Sequence, residues 1–169
     1  MLVQQKIGNL ADLDAGDRSI DLLPVEWYET SKRILRKPTR AGHDLALRFL
    51  KESPALAEGD ILYLDDKTLI AVEILPCDAI SFVATTPANL AAACYEIGNR
   101  HLPLFLEGDE LLVPFEEPIY RWLTANGFNA VKAERKLLHP LRSTVTAHAH
   151  AGNSGPGLLT RILNFTGNP

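Results

Sequence analysis

A chain of 169 residues with 46% hydrophobic and 22% charged side chains has enough apolar material for a core, which excludes a disordered or fibrous protein. Its net charge of −4 argues against holding a phosphate backbone as the main task, since that needs a dominant basic surface; no nucleic-acid partner is expected. No apolar run approaches the roughly 18–20 residues of a membrane span, so no membrane partner is expected either.

The opening MLVQQKIGNLADLD lacks the charged start, apolar stretch and small-residue cleavage site of a signal peptide, and a cytoplasmic protein is expected. LVQQKI and SIDLL read as strand pieces divided by the turn-rich GNLADLDAGD. The basic run Lys32, Arg33, Arg36, Lys37 and Arg40 reads first as a solvated strand face and second as a patch that steers an acidic partner. HDLALRFL alternates apolar residues from Leu45 to Phe49, the period of a half-buried strand. Ile61 to Leu64 and Leu69 to Leu75 form a hairpin about the turn Asp65–Asp66–Lys67. Residues 1–76 therefore read as a small β domain, sandwich-like or barrel-like, of a kind suited to binding a partner or peptide.

The rhythm changes after Pro76. DAISFVAT is a strand, Thr86 an N-cap and Pro87 the first residue of the helix ANLAAACYEI, with Gly98 expected at its left-handed end. LPLFL and ELLVPF flank the turn EGD, Pro118 opens a helix IYRWLTAN closed by Gly127, and NAVKAERKLL supplies a last strand. The order β-α-β-β-α-β over residues 77–140 is that of a ferredoxin-like domain, giving an α+β fold. Residues 141–169 read as a flexible tail that carries HAH and the short apolar segment LLTRILNF.

Chemistry is sparse. A Walker-type phosphate loop, a dinucleotide fingerprint, a nucleophile elbow and a Cys-x-x-Cys pair are all missing, so no catalytic or cofactor-binding residue is assigned and the chain is not expected to be an enzyme. Cys77 and Cys94 read as small hydrophobes, and the carboxylate pairs Glu116–Glu117 and Asp65–Asp66 as ordinary charges at turns or helix starts. His43 and His139 read as surface or capping residues. His148 and His150 are spaced to share one face of an extended backbone and so to reach one metal. His101 stands alone just beyond a helix. The helix dipole there opposes metal binding by only about 0.3–1 kcal/mol, which several ligands acting together overcome. One imidazole per chain is inadequate, but a twofold interface doubles it.

CYEIGNRHLPLF, with Gly98-Asn99-Arg100-His101 at its centre, resembles the signature of the urease accessory nickel metallochaperone family. RKPTRAGHDLALRF, AEGDILYLDDK and AVEILPCDAI resemble that family's N-terminal domain in order and spacing, so the likeness covers roughly residues 20–135. The resemblance implies a homodimer or higher oligomer that binds Ni2+ through His101 of both chains, with help from His148 and His150. It implies delivery of the ion to a urease maturation complex that includes an accessory GTPase. Zn2+ or Cu2+ suits the same ligands, and Irving–Williams ordering gives nickel no advantage over copper. Two other readings stand beside it: a small metal-dependent hydrolase using His101, His148 and His150, and a β-rich adaptor whose histidines are incidental.

Overall fold

The computed structural model describes residues 1–49 and 55–141. Its first seven strands are β1 (Leu2–Val3), β2 (Gly8–Asn9), β3 (Ser19–Val25), β4 (Ile34–Pro38), β5 (Asp44–Arg48), β6 (Asp60–Leu64) and β7 (Thr68–Ile74). They form two sheets, ordered β1-β5-β4 and β2-β6-β7-β3. Alternation in β5 sends Leu45 and Leu47 inward, where they meet Leu23 and Val25 of β3 and Ile70, Val72 and Ile74 of β7 in one core. Each such side chain, fully buried, contributes roughly 1.5–3 kcal/mol. The sheets thus form a small sandwich.

The hairpin β6–β7 turns where the sequence places it. The Asp65 carboxylate accepts hydrogen bonds from Lys67 N at 2.8 Å, Thr68 N at 2.7 Å and Tyr63 Oη at 2.9 Å. These bonds hold its carboxyl below the usual range. The expected strand LVQQKI is largely not one. Only Leu2–Val3 pairs there, and Gly8–Asn9, read as turn, pairs with Ile61 and Asp60 instead.

Beyond Leu75 and Pro76 follow β8 (Cys77–Phe82), α1 (Pro87–Asn99), β9 (Phe105–Glu107), β10 (Glu110–Pro114), α2 (Glu117–Ala125) and β11 (Val131–Arg135). The sheet is antiparallel throughout, ordered β11-β8-β10-β9, with both helices packed on one face. Ile80 and Phe82 of β8 and Leu111 and Val113 of β10 meet Ala93 and Ile97 of α1 and Ile119 and Leu123 of α2. The alternate residues Ala79 and Leu112 face the other way, onto Phe105, Leu137 and Trp27, which ties this sheet to the sandwich. A second tie is Glu58: one oxygen accepts from Ile74 N at 2.6 Å and the other pairs with Lys136 Nζ at 2.7 Å. The molecule is α+β, with a βαββαβ unit following the strand-rich part.

The basic run is partly paired within the chain. Arg36 pairs with Asp44 at 2.5 Å, Lys37 and Lys32 with Glu29 at 2.6 and 3.3 Å, and Arg40 with Glu73 at 2.9 Å. Burial raises the Glu29 carboxyl, but its bonds to Lys37, Glu26 N–H and Lys32 outweigh burial and leave it below its ordinary value. Most of the run is thus the solvated, paired face expected of a strand surface, with Lys32 and Lys37 sharing one carboxylate.

Candidate metal centre

Helix α1 begins as its sequence dictates. Thr86 is extended and its hydroxyl accepts from Asn89 N at 3.1 Å, while Pro87 follows where a missing N–H costs nothing. Ala93 and Ile97 point into the core, and Ala88, Ala91, Ala92, Tyr95 and Gly98 face outward.

The end of α1 departs from expectation. Gly98 is inside the helix, which runs to Asn99 with Arg100 as its C-cap. The left-handed residue is His101, at φ +56°, the one non-glycine with positive φ among the described residues. His101 N donates to Gly98 O at 3.0 Å and Leu102 N to Ile97 O at 3.2 Å, the paired bonds of a Schellman motif. Leu102 then packs on the core beside Ile97. Helix α2 ends the same way, with Gly127 N donating to Thr124 O and Phe128 N to Leu123 O. There the left-handed position is a glycine, at φ +80°.

Two helices thus share one stop, and one of them carries an imidazole where glycine fits best. A side chain in this region costs roughly 1–2 kcal/mol, and such strain gathers at functional sites. The signal was present in the sequence: Ile97 and Leu102 have the spacing of the apolar contact that accompanies this stop, which places His101, not Gly98, at the turn.

His101 is exposed, and its neighbour Arg100 is occupied by Glu96, with Nη2 2.5 Å from the carboxylate. Among the described residues, no three side chains of the histidine, cysteine, aspartate and glutamate types come together. The other candidates are accounted for. His43 Nδ1 lies 2.8 Å from Asp21 Oδ2, so it holds a buried carboxylate, a role the sequence reading missed. His139 is exposed, and its carbonyl accepts from Leu106 N at 3.0 Å. Burial raises the Cys77 thiol, which disfavours the thiolate a metal needs, and Cys94 packs against the helical core. Glu117 pairs with Arg121 at 2.7 Å rather than with a second carboxylate. His148 and His150 lie outside the described residues.

Residues 3–75 match the family model for the UreE urease accessory protein N-terminal domain, and residues 76–156 the model for its C-terminal domain. The chain belongs to the urease accessory protein UreE family. Similar proteins carry the same description, "Urease accessory protein UreE". The one from Flavobacterium johnsoniae is 42% identical over 165 residues, covering 98% of this chain and 99% of its own. That from Haemophilus influenzae is 42% identical over 153 residues, or 88% and 82%. That from Acetivibrio thermocellus is 35% identical over 151 residues, or 89% and 98%. UreE proteins are accessory factors, so this chain is not itself an enzyme, and the hydrolase reading falls with that membership.

Proposed function

We propose that the chain is a nickel metallochaperone of urease maturation, in which His101 from each protomer of a homodimer holds the cargo ion and His148 or His150 completes the shell. Membership in the urease accessory family supports the role. The observation that carries the site is His101 itself: an exposed imidazole held in a strained backbone where glycine would be more stable. With no clustered partner among the described residues, its further ligands must come from a second copy or from the tail. The outward face of α1, with Ala88, Leu90, Ala91 and Ala92 and ending in Tyr95 at 72% exposure, offers an apolar surface on which two copies can meet. The division of labour in this reading puts metal and self-association in residues 77–140, partner contacts in 1–76 and extra ligands in 141–169. An accessory GTPase would receive the ion in the cytoplasm, and Zn2+ or Cu2+ would compete for the same ligands.

A site shared by two chains captures metal best when the chains are already paired. Light scattering on rigorously metal-free protein is therefore expected to give a dimer at micromolar concentration. A monomer that pairs only after nickel is added would count against this reading.

The tail makes a smaller contribution. Fixing each residue of TAHAHAGNSGPG on a metal costs roughly 1–2 kcal/mol, so one imidazole at a time, not two, is expected to join the His101 pair. Ending the chain after Thr146 should weaken nickel binding about tenfold, with the dimer and the His101 site retained. Titration calorimetry reads this directly. Equal affinity in the shortened and full chains would remove His148 and His150 from the ligand set.

A further inference from the structure

Between the sandwich and the βαββαβ unit lies an apolar groove of about 490 Å³. Its lining includes Trp27 and Tyr28 from the 3-10 turn after β3, Leu56, Phe105 of β9, Leu138 and Pro140. Trp27 meets Tyr28 and Phe105 edge to face, at ring-centroid distances of 5.5 and 5.8 Å. Yet Tyr28 is 54% exposed, so the aromatic rim faces water. The groove is of a size that takes a few side chains rather than a whole domain.

The described chain ends on this groove. Residues 139–141 run along β9: Leu106 N donates to His139 O at 3.0 Å, Phe105 bridges Pro140, and Leu141 N donates to Leu104 O at 2.7 Å. Residues 142–169 follow, and within them LLTRILNF, residues 158–165, holds Leu158, Leu159, Ile162, Leu163 and Phe165 with Arg161 as its one charge. Leu158, Ile162 and Phe165 have helical spacing and would share one apolar face.

We propose that the segment Leu158–Phe165 docks into this groove of its own chain. Reach permits it: a connecting stretch of about sixteen residues has a root-mean-square span of roughly 20–24 Å, enough to return to the groove it left. Tethering favours it over other occupants, because a short linker presents the segment at an effective concentration of about millimolar, far above a second copy at micromolar. The chemistry matches, a nearly uncharged apolar segment against a nearly uncharged aromatic lining. Docking would also pin both ends of residues 142–157 on the flank that holds Pro103, which follows closely on His101, and so keep His148 and His150 near it. That consequence rests on the nickel reading; the docking does not.

Hydrogen exchange on metal-free protein tests the docking without involving nickel. The full chain, the chain ended after Gly157, and full-length Ile162→Asp are compared at two protein concentrations. Amides of residues 27–31 and 137–141 are expected to exchange about tenfold faster in both altered proteins, with β8 unchanged as a control for the fold. A synthetic peptide of residues 156–169 at millimolar concentration should restore protection to the shortened chain. Unaltered exchange in both proteins would overturn the proposal. So would protection that survives the truncation and fades on dilution, which would assign the groove to a second copy.

Discussion

His101→Ala is expected to weaken nickel binding by at least about 100-fold, since on the proposed reading it removes an imidazole from each half of a shared site. The fold and the proposed dimer should survive, because the side chain is exposed and takes no part in the core. His101→Gly should lose the same site and yet give a sturdier protein. Glycine adopts φ +56° without steric cost, so the strain of roughly 1 kcal/mol disappears and the metal-free melting temperature should rise by about 2–4 °C. The two variants separate ligand from backbone in a way that alanine alone cannot. Calorimetric titration reads the first effect and thermal melting the second. Native nickel affinity in either variant would remove His101 from the site, and a lower melting temperature for the glycine variant would refute the strain.

The second large effect concerns Asp21. Its carboxylate is buried at the base of the turn after β4, where Oδ1 accepts from Leu22 N at 2.8 Å and Ala41 N at 3.0 Å. Oδ2 meets His43 Nδ1 at 2.8 Å. Asp21→Ala leaves these donors without partners and should cost about 3 kcal/mol in urea unfolding. Asp21→Asn keeps an acceptor at Oδ1 and should cost about half as much. Burial raises this carboxyl, but the bonds from Thr39, His43, Ala41 and Leu22 outweigh burial and leave it below its ordinary value. A lowered carboxyl stabilises the fold above its unfolded pKa, near 4, and that share is lost as pH falls through the folded value. Native protein should therefore lose stability below about pH 4, and Asp21→Ala should lose less over the same range. Parallel acid profiles for the two would rule Asp21 out as a source of the loss.

The role of Asp21 was not legible along the chain, and the strain at His101 was legible only through the Ile97–Leu102 spacing. Thr86-Pro87 announced α1, Pro118 and Gly127 bracketed α2, and the alternation in HDLALRF gave β5, because caps and two-residue periods are local chemistry. Gly98 misled because glycine is the commonest stop, whereas the Ile97–Leu102 contact fixed the turn three residues later. The pairing of β3 with β7 was invisible, since alternation tells which face a strand buries and never which strand lies beside it. Asp21 with His43, like the groove between Trp27 and Pro140, joins residues far apart in sequence that only the assembled fold brings together. For the candidate site, the sequence supplied His101 and its place past a helix. The structure added the backbone that holds it.

The parallel pairing of Ser19–Val25 with Thr68–Ile74 also sets an order of events during synthesis. The long N-terminal sheet cannot close until Ile74 has left the ribosome, and β8 follows at once, destined for the middle of its own sheet between β10 and β11. Its last partner, β11, ends only at Arg135. At translation rates of about 5–20 residues per second, β8 waits roughly 3–12 s with Ile80 and Phe82 uncovered. A nascent chain that has emerged only as far as α1 or β10 is thus the form most prone to aggregate, whereas one that has emerged just past Ile74 already holds every strand of its first two sheets.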